Sequence, residues 1–202
     1  MPSSLICKYD IILGSKSPRR RELLAGLDIP FRVVDIAADE SYPNDLVGGD
    51  IPIYISRAKA TAYTALLTDG ELLITADTIV WSRGKMLGKP TNEQEAYEML
   101  RQLSGHTHQV FTGVTLTKKS NGDIQMDSFV DKTDVTFDSL SEDEIRYYVD
   151  RYKPLDKAGG YGIQEYIGFI GVSHLSGSYF NVMGFPVERV YGKLRKYILY
   201  EH

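Results

Sequence analysis

The chain has 202 residues, 43% of them apolar and 25% charged, and a formal net charge of -4. These values exclude a disordered chain and argue against wholesale binding of nucleic acid, and a single cysteine, Cys7, excludes an intrachain disulfide or a cysteine-built metal centre. No segment reads as an apolar membrane-spanning helix, and Met1 to Asp10 lacks the charged start and long apolar core of a secretory leader. The expected location is therefore the cytoplasm, with no membrane partner and no nucleic-acid partner.

Tyr9 to Gly14 reads as a buried strand and Ser17 to Leu27 as a helix, with Ser17 at its N-cap and Pro18 at its first position. Ser15, Lys16 and Ser17 lie between them, and three arginines, Arg19, Arg20 and Arg21, follow the proline. A helix start presents unpaired N–H groups, and guanidinium groups suit phosphate oxygens. The stretch reads as an anion site or, more plainly, as a cap followed by solvated charge. Phe31 to Ile36 is a second strand, and strand, helix, strand with short links implies a parallel crossover. Residues 37–49 form a polar loop with Asp39, Glu40 and Asp45, at the carboxyl end of a strand, where ligands gather in open α/β sheets. Ile51 to Leu67 has helical periodicity, with Ile55, Ala58, Ala62 and Ala65 on the inward face. Lys59 lies near that face, either snorkelling over the core or pointing into a site.

Leu72 to Trp81 is the most apolar run and reads as a central strand. Asp77 interrupts it. A carboxylate there is costly unless it is paired or binds a cation, so Asp77 either has a functional role or caps a neighbour at the strand end. Arg83-Gly84 is a turn, and Lys85 to Pro90, with Lys89, a short return strand or loop. Asn92 to Leu103 is a helix with Ala96, Met99, Leu100 and Leu103 inward, closed by Ser104-Gly105. Gln109 to Lys118 and Asp123 to Phe137 form a hairpin about Asn121-Gly122. Ser141 opens a helix that runs to about Asp150. Lys153 to Gln164 is irregular and glycine-rich, carries Asp156, Lys157 and Gln164, and has the character of a functional loop. Ile167 to Val172 reads as a strand and Gly177 to Pro186 as a loop or short helical turn. The last helix runs from Pro186 to Leu199, with Val187, Val190, Leu194 and Ile198 inward. His106 and His108 fall on one strand face, but without a third ligand at a recognisable spacing they read as structural.

Two acids at strand ends, Glu40 and Asp77, an arginine-rich helix start and several lysines near glycines are what phosphoryl chemistry requires. Cationic groups and a divalent metal stabilise charge on phosphate oxygens, and a carboxylate can position that metal or polarise water. The Walker phosphate loop, the serine-hydrolase elbow and the dinucleotide fingerprint are all missing from the sequence.

Ser15-Lys16-Ser17-Pro18-Arg19-Arg20, Asp39-Glu40, Lys59, Ala76-Asp77-Thr78, Gly88-Lys89-Pro90, Ser104-Gly105 through His108, Asp156-Lys157-Ala158-Gly159, Tyr161-Gly162-Ile163-Gln164 and Gly177-Ser178 through Pro186 stand in the order found in Maf proteins. The chain resembles that family over nearly its whole length. The resemblance implies a single α/β domain over residues 1–202. Its mixed, curved sheet is flanked by helices, with two lobes and a central cleft, similar to the house-cleaning nucleotide pyrophosphatases. It implies hydrolysis of a nucleoside triphosphate to the monophosphate and pyrophosphate with a divalent cation, Mg²⁺ or Mn²⁺. Asp77 matches the catalytic acid, and Glu40 with Asp77 the metal ligands. Ser15, Ser17, Arg20, Lys59, Lys89 and Lys157 match the phosphate-binding positions. Arg19, Thr78 and Gln164 match the dTTP/UTP-preferring branch rather than the 7-methyl-GTP branch. The glutamine amide has both the donor and the acceptor that a pyrimidine edge needs. Alternatives are an ITP/XTP-type pyrophosphatase and a non-enzymatic nucleotide-binding regulator of septum formation. Dimers are common among similar proteins, so a homodimer is part of the expectation. Lys16 and Phe185 depart from the usual pattern, and Lys16 is expected to face water.

Overall fold

The structure, a computed structural model, describes residues 5–200; side chains are described from Lys8 to Tyr197, so that of Cys7 lies outside the described residues. Nine strands and seven α-helices occur among them. The main sheet has seven strands. With β2 (Asp10–Gly14), β3 (Phe31–Val34), β4 (Glu71–Ser82), β6 (Thr107–Ser120), β7 (Asp123–Phe137) and β8 (Val172–Ser176), its order is β3-β2-β4-β6-β7-β8, and β5 (Lys85–Leu87) pairs with β4. It is mixed: β2 is parallel to β3 and β4, whereas β5 and β8 run antiparallel to their neighbours. No helix among the described residues is long and apolar enough to cross a membrane.

The chain divides into two compact units, Met1–Asp77 with Thr112–Val130 and Gly184–His202, and Thr78–Phe111 with Asp131–Met183. In the first, β2 is buried on both faces, as a central parallel strand should be. Ile11 and Leu13 face one apolar cluster with Leu24, Leu72, Ile74, Phe185 and Val190; Ile12 faces another with Ala60, Leu67 and Leu73. Helix α1 (Pro18–Ala25) starts where the sequence places it, with the Ser17 hydroxyl accepting from the Arg20 amide and Pro18 in the first turn. A two-stranded sheet pairs β1 (Leu5–Cys7) with β9 (Ile198–Tyr200).

Helix α2 (Asp50–Tyr63) exists as expected, but its buried face matches the reading only at Ile55. Ala62 and Ala65 are exposed; Ile51, Pro52, Ile55, Ser56, Ala60 and Tyr63 are buried. The polar Ser56 goes inside because the sheet meets it with partners. Its hydroxyl lies 2.9 Å from Thr115 Oγ1, and Thr75 Oγ1 donates to its carbonyl at 2.7 Å. A satisfied buried hydroxyl costs little, and apolar periodicity alone does not reveal it.

The second unit gathers Val80, Leu100, Val110, Phe137, Ile145, Tyr148 and Ile167 in one core. Helix α3 (Glu93–Leu103) buries the four residues assigned to its inner face, and Asn92 caps it. Helix α4 (Glu142–Tyr152) opens with a reciprocal capping box between Ser141 and Glu144. Three expectations fail. Ile167 to Val172 is not a strand: Tyr166–Gly171 is helix α5, and the strand β8 begins at Val172. Short apolar runs do not separate the two states, and here Gly168 packs on the Ile163 backbone, leaving no room for a Cβ. After the short α6 (Tyr179–Val182), the last helix α7 (Val187–Leu194) stops earlier than expected; Ile198 belongs to β9 and its side chain lies outside the described residues. His106 precedes β6, is exposed, and bonds Arg83, so the two histidines do not share a strand face.

His108 is buried, 1% exposed, with Nε2 at 2.7 Å from the Tyr161 hydroxyl. Burial pushes its imidazole down from 6.5 to about 4. Below pH 6.5 the unfolded chain takes up a proton that the folded chain does not. Stability is therefore full above that value and falls as pH drops toward 4, by about 3 kcal/mol in all. Urea unfolding of the wild type and His108→Gln at pH 7.5 and 4.5 checks this; the variant should show the smaller loss.

Candidate active site

The first unit assembles a charged centre from three segments. Helix α2 turns Lys59 toward the sheet, on the same side as its buried Ser56 and Ala60. Lys59 Nζ lies 2.8 Å from Asp77 Oδ1 and 3.0 Å from Glu40 Oε1. The Lys59 and Asp77 side chains are 13% and 14% exposed, so water screens their attraction only partly; Glu40, at 56%, is open to solvent. Glu40 is held by its neighbours. The Asp39 carboxylate accepts from the Ser41 amide at 2.9 Å and from its hydroxyl at 2.8 Å, a turn with Glu40 at its middle. The Ser41 amide and hydroxyl hold the Asp39 carboxyl below its ordinary range.

The start of α1 is equally specific. Ser15 Oγ accepts from the Ser17 amide at 3.2 Å and from Arg20 Nη1 at 3.4 Å. Arg20 Nη1 also donates to the Ala76 carbonyl at 2.7 Å, and Nε to the Gly184 carbonyl at 2.8 Å. Desolvation pulls the Arg20 guanidinium below its usual value, while the Asp77 and Glu40 charges act the other way. Arg19 is half-buried beside it. Lys16 pairs with Asp35 on the surface at 2.8 Å, and Phe185 is fully buried in the core.

Thr78, Lys89, Lys157 and Gln164 belong to the second unit. Thr78 and Gln164 are half-buried and Lys89 is exposed. Lys157 is buried, with its Nζ between Asp156 Oδ1 at 2.7 Å and Glu165 Oε1 at 3.1 Å. Glu165 also accepts from the Tyr148 hydroxyl, which in turn accepts from the Gly162 amide at 3.0 Å. Burial, with the Glu165 carboxylate, raises the Tyr148 phenol, which stays neutral. The sequence reading assigned nothing to Tyr148 or Glu165. Glu165 adjoins Gln164 and could have drawn notice, but Tyr148 sits on a separate helix and carries no local signal.

Among the described residues no cluster of three or more His, Cys, Asp or Glu side chains is placed to share a metal ion. Two carboxylates with hard oxygens, Glu40 and Asp77, do converge on one cation, Lys59 Nζ. That donor set fits Mg²⁺, which takes one or two carboxylates and completes its shell with phosphate oxygens and water.

Relatives share this chain's sequence almost end to end. A dTTP/UTP pyrophosphatase of Bacteroides thetaiotaomicron is 58% identical over 94% of this chain and 96% of its own length. One of Parabacteroides distasonis is 54% identical over 94% and 97%, and one of Porphyromonas gingivalis 49% identical over 94% and 95%. Among solved structures, a nucleoside-triphosphatase, dITP/XTP pyrophosphatase, of Mycobacterium abscessus is similar with a TM-score of 0.41 and 13% identity over 92% of this chain and 94% of its own. The Maf-like protein family matches residues 10–197, a span that holds every charged group of the centre described above, and this chain belongs to that family.

Proposed function

We propose that the chain hydrolyses dTTP and UTP at the α-phosphorus, giving the monophosphate and pyrophosphate. The observation that carries the reading is Lys59 bridging Asp77 and Glu40, three groups from separate segments held at one point. The proposed substrates are those in the names of the relatives, and Arg19, Thr78 and Gln164 are the proposed discriminators. Asp77 accepts a proton from water as the water oxygen bonds to the α-phosphorus; the bond to the bridging oxygen breaks and pyrophosphate leaves. Lys59, partly desolvated, holds Asp77 in place at 2.8 Å and offers positive charge to the phosphates. Ser15, Ser17 and Arg19 at the start of α1 add donors for phosphate oxygens. Lys89, exposed on its loop, supplies further charge, and Lys157 orders the loop that carries Gln164. A divalent cation held by Glu40 and Asp77 would neutralise the charge that builds on the phosphate oxygens. A cytoplasmic enzyme, working as a homodimer, goes with this reading.

A panel of nucleoside triphosphates scored for pyrophosphate release, with Mg²⁺ and with Mn²⁺, tests it. UTP and dTTP should turn over fastest. Preference for ITP or XTP would overturn the substrate assignment, and tight UTP binding with no UMP formed would favour a regulator. Gln164→Glu should lower kcat/KM for UTP by about a hundredfold, since loss of one side-chain donor leaves the base edge unmatched.

A further inference from the structure

We propose that Arg20 is a positioning residue, fixing the peptide before Asp77 by tying the Ala76 and Gly184 carbonyls to the start of α1. The inference rests on Asp77 as the proton acceptor. Pairing between β2 and β4 ends at Gly14 and Thr75. Ala76 lies one residue past that end and is fully buried, so the ladder to β2 offers its carbonyl no donor. Arg20 Nη1 stands in for the missing strand at 2.7 Å. Its Nε reaches Gly184, 164 residues along the chain, at 2.8 Å. Gly184 has φ 103° and leads into Phe185-Pro186 and α7, a helix without a side-chain cap bond. One planar group thereby locks the catalytic strand, the first helix and the entry to the last helix.

The fork geometry is the crux. A guanidinium sends Nε and Nη donors in fixed directions; a lysine ammonium is a point charge that cannot meet both carbonyls. A phosphate ligand would tolerate lysine, whereas a clamp would not.

The experiment uses Arg20→Lys and Arg20→Ala in the full chain, with UTP turnover, inhibition by pyrophosphate and backbone hydrogen exchange. Both variants should lose about a hundredfold in kcat, with KM for UTP and inhibition by pyrophosphate little changed, because a misplaced group costs rate rather than ground-state binding. Amide exchange should rise at 76–78, 185 and 187 in both. Arg20→Lys keeping wild-type kcat and exchange would overturn the proposal. So would Arg20→Ala weakening UTP and pyrophosphate by more than about tenfold at unchanged kcat, the mark of a phosphate ligand. Wild-type turnover is measured first; its absence would sink the nucleotide reading and leave exchange at 76–78 to decide the clamp alone.

Discussion

Asp77→Asn is expected to lose at least about a thousandfold in kcat for UTP, the upper part of the range for removing a general base. Its fold should survive. Asn fills the same space, and Lys59 keeps Glu40 at 3.0 Å. The side chain is only 14% exposed, so the change strips charge from a partly desolvated place without opening a cavity. Pyrophosphate release at saturating UTP and a thermal melt make the check. Near-full activity in a well-folded Asp77→Asn protein would remove Asp77 from the reaction and leave Glu40 as the acid to examine.

Gly113→Ala should strongly destabilise the fold. A Cβ at Gly113 in β6 would stand 2.3 Å from the Pro52 carbonyl carbon and 2.5 Å from the Ile53 amide, both backbone atoms at the start of α2. Backbone cannot turn aside as a flexible side chain can, so the helix must lift from the sheet. The cost is about 3 kcal/mol, or roughly 10 °C in melting temperature for a chain of this size. The same displacement moves Lys59, which rides on α2, so kcat should fall along with stability. A Gly113→Ala protein melting like the wild type would mean that α2 does not seat so closely.

The parts of the fold readable in advance are those written in neighbouring residues. Ser17-Pro18 announces α1, Asn92 caps α3, and Asn121-Gly122, with both residues at positive φ, turns β6 into β7. Asp77 was legible as an anomaly, an acid inside an apolar strand, and its partner Lys59 as a cation too close to a buried face. Glu40 was legible as an acid at the carboxyl end of a strand, but nothing local distinguishes it from Asp39 or Asp45, and its role came with the family motif. The failures lie where the deciding contact is not written in the local apolar pattern. Ser56 turns inward because Thr75 and Thr115 wait for it. In the helix Tyr166–Gly171, Gly168 rests on the backbone of Ile163, a contact that the apolar run does not announce. The fastening of Arg20 to carbonyls 56 and 164 residues away has no trace in local pattern. Three adjacent arginines read alike, yet only geometry separates a phosphate ligand from a clamp.

The position of bond cleavage bears most directly on the chemistry assigned to Asp77 and its neighbours. UTP turned over in ¹⁸O-enriched water, with the products separated and weighed by mass spectrometry, reads it without any mutation. Label in UMP and none in pyrophosphate is the expected result, because water attacks the α-phosphorus. Label in pyrophosphate, or release of UDP and labelled orthophosphate, would place the attack at another phosphorus and contradict it.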